Sequence, residues 1–535
     1  MEPEIRTLVD ISESEAALRS QADITLGRAR WAASIFQRFD HDRTRQIVEA
    51  VAQVAYDHAA DYAAWAVEET GFGVVEHKTL KNQLTSKAFA AHYANDDFVS
   101  PVVDEAHKMV RIPRPAGVIL ALTPSTNPIA TINFKVLMAL MTRNAIVVSP
   151  HPGARACCVD AVNTLASAAV EAGAPDGCIQ VIDQPSIPLI EEFMASDKTS
   201  VILATGGTAM VRSAYSSSNP AIGVGPGNAP VYVDSSADIS MAAKHIVDSK
   251  SFDNSVLCTS DSVVVTLPEV DEKLRQSLRQ AGAYICDEDE VEQLRRFLFH
   301  ERGFNVAAIG RDANWIAQEC GIRVPANTRV LVAPFALVGI EERMSREKLC
   351  PVLGYHVAKS RSQAFAEARA ILRLTGAGHS AAIHASDPQT VMDYARMVES
   401  YRIVVNAPCS QGAAGLQTHL APAFTIGTGY FGRSSIGENI GPKHLVHWSR
   451  VAYNRDTDIR FHNFDAVDVG FKGPLPQAPA GGLPGGGQSA TSRPSAGSRN
   501  RHHAGATSNG LDDSAREELR RIIAEEIRNT LKGGL

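Results

Sequence analysis

Between residues 117 and 207 the chain alternates short apolar runs with helical stretches, and this alternation limits the possible folds more than any other feature. Gly117-Val118-Ile119-Leu120-Ala121-Leu122 reads as a strand buried on both faces, because nothing polar interrupts it. A helical pattern follows over residues 130–141. A second run, Ala145-Ile146-Val147-Val148-Ser149, stops at the breaker Pro150-His151-Pro152-Gly153. A helix over 154–172 and the strand Ile179-Gln180-Val181-Ile182 continue the series. Val201-Ile202-Leu203-Ala204-Thr205 then runs into Gly206-Gly207 and another helix. Strands joined by helices lie parallel, because the crossover returns the chain to the same end of the sheet. The spacing therefore predicts an α/β domain with a parallel sheet and with ligands at the strand C-terminal ends. Residues 12–95 are Ala-rich and helical in period, as in Ile47, Val51, Val54 and Ala55. Met109-Val110-Arg111-Ile112-Pro113-Arg114 alternates like an edge strand. A second α/β region spans 240–430.

A chain of 535 residues has room for two or more domains with sizeable cores. The formal net charge of −7 argues against a nucleic-acid partner, because a phosphate backbone requires a basic surface. No apolar run of about 18 residues occurs, so no membrane span is expected, and residues 1–22 hold no signal-peptide core. The eight cysteines form no C-x-x-C pair, so neither a zinc ribbon, nor another metal site, nor a disulfide framework is signalled. Adjacent Cys157 and Cys158 on a helical pattern read as packing. A reducing, cytosolic compartment follows.

Residues 473–510 are rich in Gly, Pro, Ser and Ala, contain no aromatic residue, and read as a flexible linker spanning roughly 35 Å. Beyond it an amphipathic helix is expected, with Leu511, Ala515, Leu519, Ile522, Ile523, Ile527 and Leu531 recurring at steps of three and four. Ser514 and Glu517 fit a capping box. An isolated helix of this length is marginal in water. Its apolar stripe is therefore read as a docking face for a separate partner, through Leu519, Ile522, Ile523 and Ile527. Folding back on its own core and self-pairing are the alternatives.

The chemistry centres on Cys258, about thirty residues after the glycine turn Gly223-Val224-Gly225-Pro226-Gly227. A thiol beside a backbone that a ligand can approach closely suggests a nucleophile, and a buried structural cysteine is the alternative. Gly206-Gly207 at a strand end is by itself a weak phosphate signal, since G-x-G-x-x-G is absent there.

Several motifs occur together in order: Pro124-Ser125-Thr126-Asn127-Pro128, Thr142-Arg143-Asn144, Ala204-Thr205-Gly206-Gly207, Phe252-Asp253-Asn254 with Cys258, Glu347-Lys348-Leu349-Cys350-Pro351 and Gly376-Ala377-Gly378-His379. Over residues 20–470 the chain resembles the CoA-acylating aldehyde dehydrogenases of the aldehyde dehydrogenase superfamily, similar to the ethanolamine- and propanediol-pathway enzymes of bacterial microcompartments. The resemblance implies a Rossmann-like cofactor domain after a helical N-terminal region (1–240), an α/β catalytic domain carrying the cysteine (241–435) and a return segment for oligomerisation (436–472). The linker (473–510) and the targeting helix (511–535) follow.

The same resemblance implies that a short aldehyde is oxidised with NAD and coenzyme A through a thioester on Cys258. Asn127 and the Cys258 N–H would bind the oxyanion. His379 would serve CoA attack or position the acyl group. Thr205, Gly206, Gly207, Gly225, Pro150, His151 and Glu347 would hold the cofactor, with Glu347 on the nicotinamide ribose. Hydrolytic members carry a water-activating glutamate where alignment of the glycine turn puts Val224, so the thioester should wait for CoA. Asp261 stands where a glutamate is expected, and no role is carried onto it. The terminal helix resembles encapsulation peptides, which implies a microcompartment shell protein as partner, a place in the shell lumen within a bacterial cytoplasm, and dimers or dimer pairs. The rival readings are a hydrolytic NAD(P)-dependent dehydrogenase and a non-catalytic shell-binding scaffold.

Overall fold

A computed structural model describes residues 14–300, 303–464 and 467. The expected linker (473–510) and the expected terminal helix, with Leu519, Ile522, Ile523 and Ile527, lie outside the described residues. The chain enters through helices Glu15–Phe36, His41–Asp57, Ala59–Thr70 and Val75–Gln83. The first two are started by side chains: Ser14 accepts from the Ala17 N–H and Asp40 from the Arg43 N–H. Each such cap is worth about 1 kcal/mol, because it satisfies a donor that the helix cannot.

The expected parallel sheet is present. Its spatial order is Ile179–Val181, Ala145–Ser149, Val118–Leu122, Val201–Thr205, Ala221–Val224, and all four pairings are parallel. In chain order this is 3-2-1-4-5, so the direction of winding reverses between Val118–Leu122 and Val201–Thr205 and leaves a crevice at their C-terminal ends. Val118–Leu122 is buried at every residue, as an uninterrupted apolar run under helices on both faces must be. The helix Pro128–Met141 is buried throughout, and Cys157 and Cys158 are fully buried in the same core.

A second sheet has seven parallel strands in the order Ala283–Ile285, Val330–Pro334, Val352–Val357, Asp261–Thr266, Ala229–Val233, Ala381–His384, Ile403–Val405. The span 1–240 put Ala229–Val233 with the first sheet, whereas it hydrogen-bonds inside the second, between Asp261–Thr266 and Ala381–His384. The chain passes from one sheet to the other in the turn Gly225-Pro226-Gly227-Asn228, where no helix intervenes to mark a boundary in the sequence.

Met109–Pro115 differs from expectation too. It is the middle strand of a three-stranded antiparallel sheet, between Val102–Asp104 and Val446–Ala452. One partner comes from the far end of the described chain, which local alternation cannot reveal. The motif Thr142-Arg143-Asn144 serves this return. Asn144 Oδ1 accepts the Gly117 N–H at 2.7 Å and its Nδ2 donates to the Leu445 carbonyl at 3.0 Å. Arg143 donates to the carbonyls of Gln37, Phe39 and Val99. Among the described residues no helix is long and apolar enough to cross a membrane.

Candidate active site

The C-terminal ends of the first sheet open into a cavity of about 280 Å³. Leu122 leads into Thr123 to Asn127, Ser149 into Pro150 and His151, Thr205 into Gly206 and Gly207, and Val224 into Gly225, and all of these residues line the cavity. A Cβ built on Gly206 or Gly225 would meet nothing within 4 Å, so both backbones border open space. Gly207 precedes the helix Thr208–Ser216, whose first N–H groups have no partner within the helix and point out of its start. Two open glycines beside a helix N-terminus at a crossover crevice suit the pyrophosphate of a dinucleotide. His151 Nδ1 accepts the Gly153 N–H at 3.0 Å, and burial pushes its pKa down to about 4, so the ring is neutral at neutral pH.

The second sheet faces the cavity with the opposite ends of its strands. Cys258 lies three residues before Asp261–Thr266, Gly227 two before Ala229–Val233, Glu347 five before Val352–Val357 and His379 two before Ala381–His384. Cys258 follows a turn in which Asp253, Asn254 and Ser255 take φ values of 50°, 50° and 64°. Three consecutive left-handed non-glycine residues are costly and persist only where surroundings impose them. Here Asp253 Oδ1 accepts the Val74 N–H at 2.7 Å, and Asn254 Nδ2 donates to the Gly310 carbonyl at 2.9 Å. Gly227 touches the Cys258 backbone. A Cβ there would stand 2.0 Å from the Cys258 carbonyl oxygen and 3.3 Å from His379 Nδ1.

Asn127 sits at the N-cap of Pro128–Met141, yet its side chain does not cap that helix. It turns toward the cysteine loop instead. Nδ2 donates to the Val256 carbonyl at 3.2 Å, and Oδ1 accepts from Lys81 Nζ. Lys81 also donates to Asp253 Oδ2. Lys78 donates to the same Oδ2 at 3.1 Å and to the Thr126 carbonyl at 2.9 Å. These three charged side chains are almost fully buried. Burial pushes the Lys81 pKa down to about 7, with Asp253 opposing.

The field around the thiol is mixed. Burial, and next the Glu347 carboxylate, push the Cys258 pKa up to about 12, while its own N–H, Arg402 and Lys81 oppose the rise. Glu347 Oε1 accepts the Gly227 N–H at 3.2 Å, and burial raises its pKa to about 8. Behind Gly227, His379 is fully buried and does not line the cavity. Its Nδ1 lies 3.0 Å from Ser380 Oγ, and its Nε2 has no hydrogen-bond partner among the described residues. Burial, with Arg402 adding to it, pushes the His379 pKa down to about 3. Arg402 donates to four backbone carbonyls, those of His379, Gly378, Gly427 and Gly437.

One prediction follows from these signs. Glu347 ionises only as pH rises through about 8, and its anion then opposes the Cys258 thiolate. Glu347→Gln should therefore speed iodoacetamide alkylation of Cys258 in the free protein at pH 9, by up to about tenfold, the equivalent of one pKa unit. Below pH 7 the carboxyl is already neutral and the variant should match wild type. Peptide mass spectrometry reads the rate, and a variant no faster at pH 9 contradicts the assignment.

The cavity thus gathers Cys258, Asn127, Thr205, Gly206, Gly207, Gly225, Pro150, His151 and Glu347, with Val224 in its wall. His379 is the one expected site residue set behind it. Lys78, Lys81 and Arg402 went unread in the sequence, because an isolated basic residue reads as solvated surface. The three-residue spacing of Lys78 and Lys81 on one face of Val75–Gln83 was the only local signal. Asp261 is buried beneath the site, where burial raises its pKa to about 7.

Comparison with known proteins agrees with this arrangement. The family model described as "Aldehyde dehydrogenase family" matches residues 6–419. The aldehyde-alcohol dehydrogenase of Clostridium acetobutylicum is 38% identical over 433 residues, which cover 80% of this chain and 50% of that one. The chain therefore spans about half the length of the curated relatives it matches first. An acetylating aldehyde dehydrogenase from Geobacillus thermoglucosidasius superposes with a TM-score of 0.81 at 36% identity, over 83% of this chain and 98% of that one. A propionaldehyde dehydrogenase from the Clostridium phytofermentans fucose utilisation bacterial microcompartment superposes at 0.75 with 29% identity, over 81% and 98%. Parallel sheets meeting at a cysteine, the matching family model and these likenesses give one conclusion: the chain belongs to the aldehyde dehydrogenase family.

Proposed function

We propose that the protein oxidises a short aldehyde to its acyl-CoA, with NAD as hydride acceptor and coenzyme A as acyl acceptor. The observation that carries this reading is Val224, buried in the cavity wall as the last residue of the strand Ala221–Val224. A valine cannot take a proton from water. Glu347 is the only carboxylate among the described residues lining the cavity, and the Gly227 N–H occupies one of its oxygens.

The Cys258 thiolate adds to the aldehyde carbonyl and forms the C–S bond. The resulting oxyanion is held by the Cys258 N–H and by Asn127 Nδ2. NAD, when bound, supplies the acceptor for the hydride that leaves that carbon. Cys258 then carries a thioester, and the thiolate of CoA attacks it through a second oxyanion in the same place. Collapse expels the Cys258 thiolate and releases acyl-CoA. Gly206, Gly207 and Gly225 would let the cofactor's pyrophosphate approach closely, Thr205, Pro150 and His151 would border it, and Glu347 would accept from ribose hydroxyls. His379, with a depressed pKa and packed behind Gly227, would support the acyl site through that backbone rather than by proton transfer. Neutral His151 offers no cation to a 2′-phosphate, which favours NAD over NADP.

Product analysis tests the reading. With C2 to C4 aldehydes and NAD, adding CoA should raise steady-state NADH formation by about tenfold or more, with ping-pong kinetics and acyl-CoA as product. Mainly free acid under saturating CoA would establish the hydrolytic rival, and no thioester at all the scaffold rival.

The tail carries a second element of the proposal. The apolar residues spaced at three and four over 511–531, after a stretch rich in Gly, Pro and Ser, would suit docking to a microcompartment shell protein if they form the expected helix, which would place the enzyme in the shell lumen. Deleting residues 511–535 should leave catalysis unchanged and release the enzyme from shells, and residues 511–535 fused to a fluorescent protein should enter them. A diffuse fusion beside an encapsulated deletion variant would refute targeting.

A further inference from the structure

Two buried lysines share one buried carboxylate beside the cysteine loop, and this stoichiometry is unusual for an ion pair that only holds the fold. Lys78 by itself neutralises Asp253, and it also ties the Thr126 carbonyl to the cluster. A second desolvated ammonium adds a burial cost that pairing does not require. Lys81 uses its remaining donor capacity on a single group, Oδ1 of Asn127. Lysine donates and never accepts while charged, so the carbonyl half of the Asn127 amide must face it. The NH₂ half is then turned toward Val256, two residues before Cys258, where Nδ2 lies 3.2 Å from the Val256 carbonyl and 3.2 Å from Thr126 Oγ1, two contacts an oxyanion would have to displace.

We infer that Lys81 is a positioning residue, whose ammonium group holds the Asn127 amide with its N–H donors presented to the oxyanion formed at Cys258. The inference rests on the function proposed above. It assigns to the helix Val75–Gln83, remote in sequence from both Asn127 and Cys258, the task of fixing their relation. Asp253 belongs to the same device. Its carboxylate anchors Lys81, while its backbone opens the left-handed turn that leads to Cys258. Gly73 makes room for it, since a Cβ there would stand 2.1 Å from Asp253 Oδ1.

The test compares kcat and KM in the full-length enzyme. Lys81→Met leaves Lys78 and Asp253 as a neutral pair, so the fold should survive. Expected is a fall in kcat of about 10- to 100-fold, part of the cost of losing an oxyanion donor, with KM for aldehyde and CoA held within about threefold. Lys78→Met, which removes a similar buried charge but no contact to Asn127, should cost far less in kcat. In the Asn127→Ala background Lys81→Met should cost no more than about threefold further, because the group it positions is gone. Should Lys81→Met fail to fold, the same comparison is made with Lys81→Leu, which also leaves Lys78 and Asp253 paired.

Losses that simply add in the double variant, or a Lys81→Met enzyme within about threefold of wild type, overturn the inference. A wild type that forms no acyl-CoA removes the proposed function and this inference together. A wild type that turns over beside a fully active Lys81→Met removes the inference alone.

Discussion

Replacing Cys258 by alanine is expected to lower acyl-CoA formation by at least about 10⁴-fold while leaving the fold intact. No other cysteine can substitute, because Cys258 alone among the eight lines the cavity. The side chain is small and half-buried, so its loss leaves little unfilled space. Cys258→Ser should be nearly as inactive, since an alkoxide is far harder to form near neutral pH than a thiolate, and burial at this site already disfavours the thiolate. Incubating wild type with aldehyde and NAD in the absence of CoA should leave an acyl adduct on the Cys258 peptide, visible by mass spectrometry. Near-wild-type turnover by Cys258→Ala would sink the assignment.

Asn127→Ala is expected to lower kcat by about 10²- to 10³-fold, the usual cost of one oxyanion-hole donor, with little change in aldehyde KM. The expectation rests on where the side chain points. An N-cap asparagine kept for helix stability would bond its own helix, and losing it would cost about 1 kcal/mol of stability without touching kcat. Here the amide makes no such bond and spans Lys81 and Val256. Asn127→Asp should be at least as damaging. It keeps an acceptor for Lys81 but sets a negative oxygen where the oxyanion develops. Steady-state kinetics beside a thermal melt separates the two cases. Loss of melting temperature at constant kcat would return Asn127 to a structural part.

The first sheet was legible in the sequence because its signal is local. Uninterrupted apolar runs such as Val118–Leu122 and Ala145–Ser149, each followed by a helix, admit a parallel sheet and little else. The cavity-lining turns were legible for the same reason. Glycines and prolines at strand ends mark them, and Thr205, Gly206, Gly207, Gly225, Pro150 and His151 do line one cavity. Cys258 was legible as a residue, and its surroundings were not. The first sheet turns its strand C-terminal ends to the cavity, whereas the second presents Cys258 and Glu347 from strand N-terminal ends.

Three things were therefore left to the tertiary structure. The switch between sheets falls in Gly225-Pro226-Gly227-Asn228 rather than near residue 240, because strand membership is set by hydrogen-bond partners far away in the chain. Met109–Pro115 is a central strand because Val446–Ala452 returns to it. And Lys78, Lys81 and Asp253 meet in the interior only once the helix Val75–Gln83 docks on the cysteine loop. The periodicity of apolar residues determines which elements form, because backbone geometry fixes which side chains share a face. It says nothing of which elements meet, and a charged residue buried by such a meeting looks in the sequence like any other surface charge.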